Sequence, residues 1–160
     1  MPVFISYRHS ERLDAFIINE RLLLEGISTH LELFDASAEQ NSDDTCTSLC
    51  RHLVDATHLI AVVSPVTAAD WWLPWQLGAA TALHRRITLY QSGAGCLPCY
   101  QQKWPRMHER EHIELFVRAY HDEDTFCRAM VARQPNAPSI NRTNADFFHA
   151  DLRSKIRRGF

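Results

Sequence analysis

The chain has 160 residues, 46% of them hydrophobic and 22% charged, a size and balance that suit one globular domain folding without help from disulfides or metal. Seventeen Lys and Arg against nineteen Asp and Glu leave a net charge of −2, which excludes the strong basic excess of a nucleic-acid groove. No apolar run approaches the roughly 20 residues of a membrane span, and Met1-Pro2-Val3-Phe4 lacks the charged start of a signal peptide, so a cytoplasmic protein that binds neither membrane nor nucleic acid is expected.

Val3-Phe4-Ile5-Ser6-Tyr7 is an apolar run of strand length, closed by the polar turn Arg8-His9-Ser10. From Ser10 and Glu11 a helical pattern begins, with Leu13, Phe16, Ile17, Leu22 and Leu24 at near-helical spacing and Gly26 as its stop. Residues 27–34 read as a second strand in which Thr29, Leu31 and Leu33 alternate with other residues. A polar loop over 36–44 leads to a helix from about Asp44 to Ala56. His58-Leu-Ile-Ala-Val-Val-Ser64 is continuous, apolar and β-branched, as a strand buried on both faces should be. Asp70 is placed to cap a helix running through Trp71, Trp72, Trp75 and Leu83, with Pro74 tolerable in its first turn. Residues 87–90 form a fourth strand.

Beyond Gln91 the pattern loosens. Residues 111–120 read as helix, or as a final strand plus helix, and 122–133 as a helix. Pro135, Asn136, Pro138, Asn141 and Asn144 mark a linker, and 145–158 one more amphipathic helix. The expected division is therefore 1–133 for the main domain and 134–160 for a linker and helical appendage. Strand–helix alternation with continuous apolar strands predicts an α/β fold, a flavodoxin-like doubly wound parallel sheet of strand order 2-1-3-4-5 with a C-terminal helical extension. Such a sheet binds ligands past the carboxyl ends of its strands, where strands 1 and 3 diverge.

The glycines, at 26, 78, 93, 95 and 159, spell neither common nucleotide fingerprint. The odd number of cysteines, five, argues against a fully paired secreted framework. Cys96-Leu97-Pro98-Cys99 and the Cys46/Cys50 pair match neither a zinc nor a redox site well and read as structural or incidental thiols. His108 and His112 read as a solvated helix face, Asn141-Arg142-Thr143 is a glycosylation sequon only in form, and no metal site is expected. Two segments at the expected switch point carry more. Trp72 and Gln76 lie four apart on one helical face, an aromatic wall one turn from a polar amide, which suits a ring-and-sugar ligand. Arg8, in a tight strand-to-helix turn, could pair with a phosphate through its fork.

Three segments in order resemble the Toll/interleukin-1 receptor (TIR) domain: Val3-Phe4-Ile5-Ser6-Tyr7, the strand from Ala56 to Pro65, and Trp72-Leu73-Pro74-Trp75-Gln76-Leu77-Gly78. The match spans roughly residues 1–92, and Leu97-Pro98 with Trp104-Pro105 looks like the bacterial ThsB-like branch of Thoeris antiphage defence. The resemblance implies the same flavodoxin-like sheet and an enzyme that takes NAD+ as substrate, needs no separate cofactor, cleaves the nicotinamide–ribose bond and makes an ADP-ribose-derived signal nucleotide. It also implies TIR–TIR self-association, a phage-derived trigger and a downstream effector reached through the product. Carried onto matching positions, Ser6, Tyr7, Arg8 and His9 would line the nucleotide cleft, with Asp35 and Ser64 beside them. Trp72 would border the nicotinamide or ribose, and position 76 would hold the catalytic carboxylate. Here the chain departs from the family, because Gln76 stands where the family has Glu. Either Gln76 is natural, in a catalytically silent interaction or scaffold module, or it is an introduced Glu→Gln change that inactivates an enzyme.

Overall fold

A computed structural model describes residues 1–34, 42–133 and 141–160. Five parallel strands form one sheet in the order β2-β1-β3-β4-β5: β1 (Val3–Tyr7), β2 (Thr29–Leu33), β3 (His58–Val63), β4 (Arg86–Gln91) and β5 (Arg106–Met107). The helices are α1 (Arg12–Leu24), α2 (Ser42–Asp55), α3 (Trp72–Ala82), α4 (Glu111–Arg133) and α5 (Arg142–Arg158). The fold is the doubly wound α/β sheet the alternation predicts, with a C-terminal helical extension.

The period-2 alternation of each strand divides the core in two. Val3 and Ile5 of β1, Ile60 and Val62 of β3 and Tyr90 of β4 pack with Ala15, Ile18 and Leu22 of α1, Phe116 of α4, and Phe148 and Leu152 of α5. Phe4, Leu59, Ala61, Val63, Ile87 and Leu89 face the other way, onto Leu49 and Leu53 of α2 and Leu73 and Leu77 of α3. All six residues of β3 are buried, because it is the central strand and is covered on both faces.

Four local expectations are corrected. In α1 the inward stripe is Ala15, Ile18 and Leu22, while Leu13, Phe16 and Leu24 are exposed, since they fall off that 3.6-residue register. Asp70 does not cap α3; its carboxylate pairs with the Arg8 guanidinium at 3.0 Å, and Trp71 holds the cap position without a side-chain bond. The final strand is Arg106–Met107, ahead of the segment proposed for it, held by the Leu89 N–H donating to the Pro105 carbonyl at 2.9 Å. Residues 111–133 are one helix, and the polar run His121-Asp122-Glu123-Asp124 does not break it because Glu123 turns inward.

Gly26 ends α1 with φ of 73°, a left-handed position that glycine occupies without strain. Asn141 is the N-cap of α5, its side chain accepting the Asn144 N–H at 2.8 Å. His112 is buried rather than solvated, its Nδ1 accepting the His108 N–H at 3.2 Å. All five cysteines are unpaired thiols. None of the described helices is long and apolar enough to cross a membrane.

Glu123 lies at the end of the sheet opposite the strands' carboxyl termini. It accepts from His58 Nε2 at 3.0 Å and from Arg86 Nε at 2.7 Å, and all three side chains are buried. A carboxylate only accepts, so Nε2 of His58 carries the proton. Burial works to raise the Glu123 carboxyl, but the bonds from His58 and Arg86 outweigh it and hold it below the usual carboxylate range. Burial pulls His58 the other way, below the ordinary imidazole value.

Candidate functional site

β1 leads into α1 on one face of the sheet and β3 into α3 on the other, and at their carboxyl ends lies a small cleft of about 30 Å³, well below the roughly 300–1,000 Å³ of ligand pockets. Ser6 and Gln76 form its buried end. The Ser6 hydroxyl donates to Gln76 Oε1 at 3.0 Å, and both residues are almost fully covered. Gln76 Nε2 is buried with no hydrogen-bond partner, so half of the amide is unsatisfied. The pairing follows from the elements: Ser6 is on the α2/α3 side of β1, and Gln76 is buried among Leu73, Leu77 and Ala80 of α3.

Phe34, Trp72 and Leu73 supply the apolar wall. Trp72 stacks on Trp75 with ring centroids 5.2 Å apart and 13° between planes, meets Trp71 edge-on at 4.8 Å, and contacts Phe34 at 5.5 Å. The three tryptophans therefore form one cluster: Trp71 is 68% exposed, whereas Trp72 and Trp75 are half-buried and pack against the core beneath α3. The Trp72 indole N–H is buried without a partner, a second unsatisfied donor next to the cleft.

Tyr7, Arg8, Thr67 and Asp70 line the more exposed part. Arg8 is engaged with Asp70, so an anion there must compete with a carboxylate already in place. Of the residues named from the sequence, the structure brings Ser6, Tyr7, Arg8, Trp72 and Gln76 to this one cleft. His9 is exposed and does not line it, and Ser64 also lies outside the lining, exchanging hydrogen bonds with Thr67. Asp35 falls outside the described residues.

Two carboxylates escaped the sequence reading. One is Asp70. The other is Glu11, buried at 1% exposure, which accepts from the Arg8 backbone N–H at 3.2 Å, the Ser10 hydroxyl at 2.8 Å and the Thr67 hydroxyl at 3.1 Å. Its signal is the acidic residue three positions after Arg8, the spacing by which a side chain returns to a helix start. Through Thr67 this carboxylate ties the first turn of the chain to the residues after β3.

No family model matches the chain, and no curated protein matches it. Among solved structures it is similar to the TIR domains in the structure of the activated Roq1 resistosome directly recognizing the pathogen effector XopQ. The sequence identity is 16% and the TM-score 0.44, over 99% of each chain.

Proposed function

We propose that the cleft is an NAD+ site of the TIR type. The chain is then built as an enzyme that cleaves the nicotinamide–ribose bond to make an ADP-ribose-derived signal in bacterial antiphage defence, and Gln76 leaves it nearly silent. The observation that carries this reading is the Ser6–Gln76 pair at the buried end of a cleft at the β1/β3 switch point, with Trp72 beside it.

Departure of nicotinamide leaves an oxocarbenium-like ribose, and a carboxylate nearby stabilises that charge while accepting a ribose hydroxyl. Gln76 has the shape of Glu, and the bond from Ser6 suits either. The unpartnered Nε2 sits where a second carboxylate oxygen of Glu would be. The amide thus retains the position without the charge. Loss of one such electrostatic group costs roughly 10²–10³ in rate. Trp72 would border the ring-and-sugar end, with Arg8 exchanging Asp70 for a phosphate. Self-association with other TIR domains, a phage-derived trigger, an effector reached through the product and a cytoplasmic setting belong to the same proposal, with residues 1–133 as the unit that carries the chemistry.

The test is nicotinamide release from NAD+ by the Gln76→Glu protein, alone and with lysate of phage-infected cells. Release at least about 10²-fold above the Gln76 chain is expected. No release by Gln76→Glu under either condition overturns the enzyme reading. The second reading, a catalytically silent interaction module, is favoured by the amide itself and by the Arg8–Asp70 pair across the cleft. It requires that NAD+ leave the melting temperature unchanged while the chain still associates with TIR partners.

A further inference from the structure

We propose a second site, independent of the cleft: His30, Glu32 and His52 form a binding site for one divalent late first-row ion of the Zn2+ class, clamping the edge strand β2 to α2.

The placement follows from strand geometry. Thr29 and Leu31 point to the α1 side, Thr29 Oγ1 donating to Asn19 Oδ1 at 2.7 Å and Leu31 packing on the core beneath α1. His30 and Glu32 then share the other face of β2, where His52 of α2 meets them. One ligand atom from each residue lies within 4.8 Å of the other two. The His30 and His52 rings are 3.8 Å apart between centroids. Glu32 Oε2 lies 4.0 Å from His30 Nε2 and in contact with His52 Nδ1.

That contact does not satisfy either atom. Glu32 Oε2 and His52 Nδ1 are both buried, and neither has a hydrogen-bond partner of acceptable geometry. The other carboxylate oxygen is oriented by the Ser48 hydroxyl, which donates to Glu32 Oε1 at 3.2 Å, as an outer partner orients a metal ligand. Phe4 closes the inner side, its ring 5.5 Å from His52 and 6.0 Å from His30. A tetrahedral ion with bonds near 2.0–2.1 Å needs its ligand atoms roughly 3.3 Å apart, a small side-chain adjustment from the present spacing.

Two imidazoles and one carboxylate select Zn2+ and its neighbours over Mg2+ or Ca2+, which favour all-oxygen shells. Three protein ligands leave the fourth position to water. The sequence does not advertise the site, because His30 and His52 belong to different elements and no short ligand spacing joins them.

The test is equilibrium titration of the full chain with ZnCl2, with CoCl2 as a spectroscopic stand-in and far-ultraviolet circular dichroism to verify folding. One equivalent of Zn2+ should bind and raise the melting temperature, and bound Co2+ should show visible bands without a thiolate charge-transfer band. Mg2+ should do neither. His30 is half-exposed, so His30→Ala should stay folded yet weaken binding by more than the roughly 10–100-fold typical of losing an outer partner. Cys46→Ser/Cys50→Ser should bind as the parent does. No binding by the parent, a thiolate band, or affinity unchanged in both His30→Ala and His52→Ala would overturn the proposal.

Discussion

The Ser6 hydroxyl lies 3.0 Å from Gln76 Oε1, joining the first strand to the third helix across 70 residues of sequence. Ser6→Ala removes that donor and leaves a wholly unsatisfied amide in a buried position. The expected loss is about 1–3 kcal/mol by urea unfolding. Adding Gln76→Met, which removes the other half of the pair, should recover part of it, so the double change costs less than the sum of the singles. Strict additivity would show that the two side chains are not coupled.

Arg8 and Asp70 are both partly exposed, so their ion pair contributes at most about 1 kcal/mol to stability. Arg8→Gln should therefore barely move the melting temperature. If Arg8 takes a phosphate of NAD+, the same change should weaken NAD+ binding to Gln76→Glu protein roughly tenfold by calorimetry, as loss of a charge-assisted bond does. Equal affinity in the two proteins removes Arg8 from the site.

Glu123 balances Arg86 and His58 in the interior. Glu123→Gln keeps the shape but leaves a buried guanidinium beside a neutral amide, and should cost roughly 3–5 kcal/mol in denaturant. If the Gln76→Glu protein releases nicotinamide, adding Glu123→Gln should leave release by the folded protein unaffected at low temperature, because Glu123 lies at the far end of the sheet. A loss of turnover in that folded protein would connect the two ends.

His149 Nε2 accepts the Ile87 backbone N–H at 2.8 Å, which requires an unprotonated nitrogen. Burial, seconded by Arg153, pulls this imidazole from 6.5 down to about 4. Its unfolded form binds a proton first, so stability falls as pH drops from 6.5 toward 4 and the loss is complete below that. The shift caps this loss at roughly 3 kcal/mol, and partial exposure brings the expectation to about half that. His149→Gln, which retains an acceptor, should flatten this part of the pH–stability curve; an unchanged slope would reassign it to other groups.

The parts of the fold that were legible are those governed by local pattern. The buried run at residues 58–63 could only be a central strand, and Gly26 could only end a helix. Strand β5 was not legible because two residues carry no periodicity; its neighbour β4 defines it. The unbroken α4 was hidden because Glu123 reads as solvated until Arg86 and His58, from other elements, supply its partners. In the cleft, Trp72 and Gln76 were visible as one helical face, whereas Asp70 and Glu11 looked like helix-start acids. What distinguishes those two is tertiary: Arg8 reaches Asp70, and Thr67 reaches Glu11.

The brevity of β5 has a further effect. It pairs only with Leu89 and Tyr90, so the first half of β4, paired with β3 on one side, has no strand on the other, and the Ile87 amide there is met by an imidazole from α5. The last helix thus acts as a guard on an open sheet edge, the kind of edge that recruits strands from other molecules. A chain ending at residue 133 would present that edge bare, together with the apolar surface now under Phe148 and Leu152, and its failure would show as concentration-dependent aggregation rather than as simple unfolding.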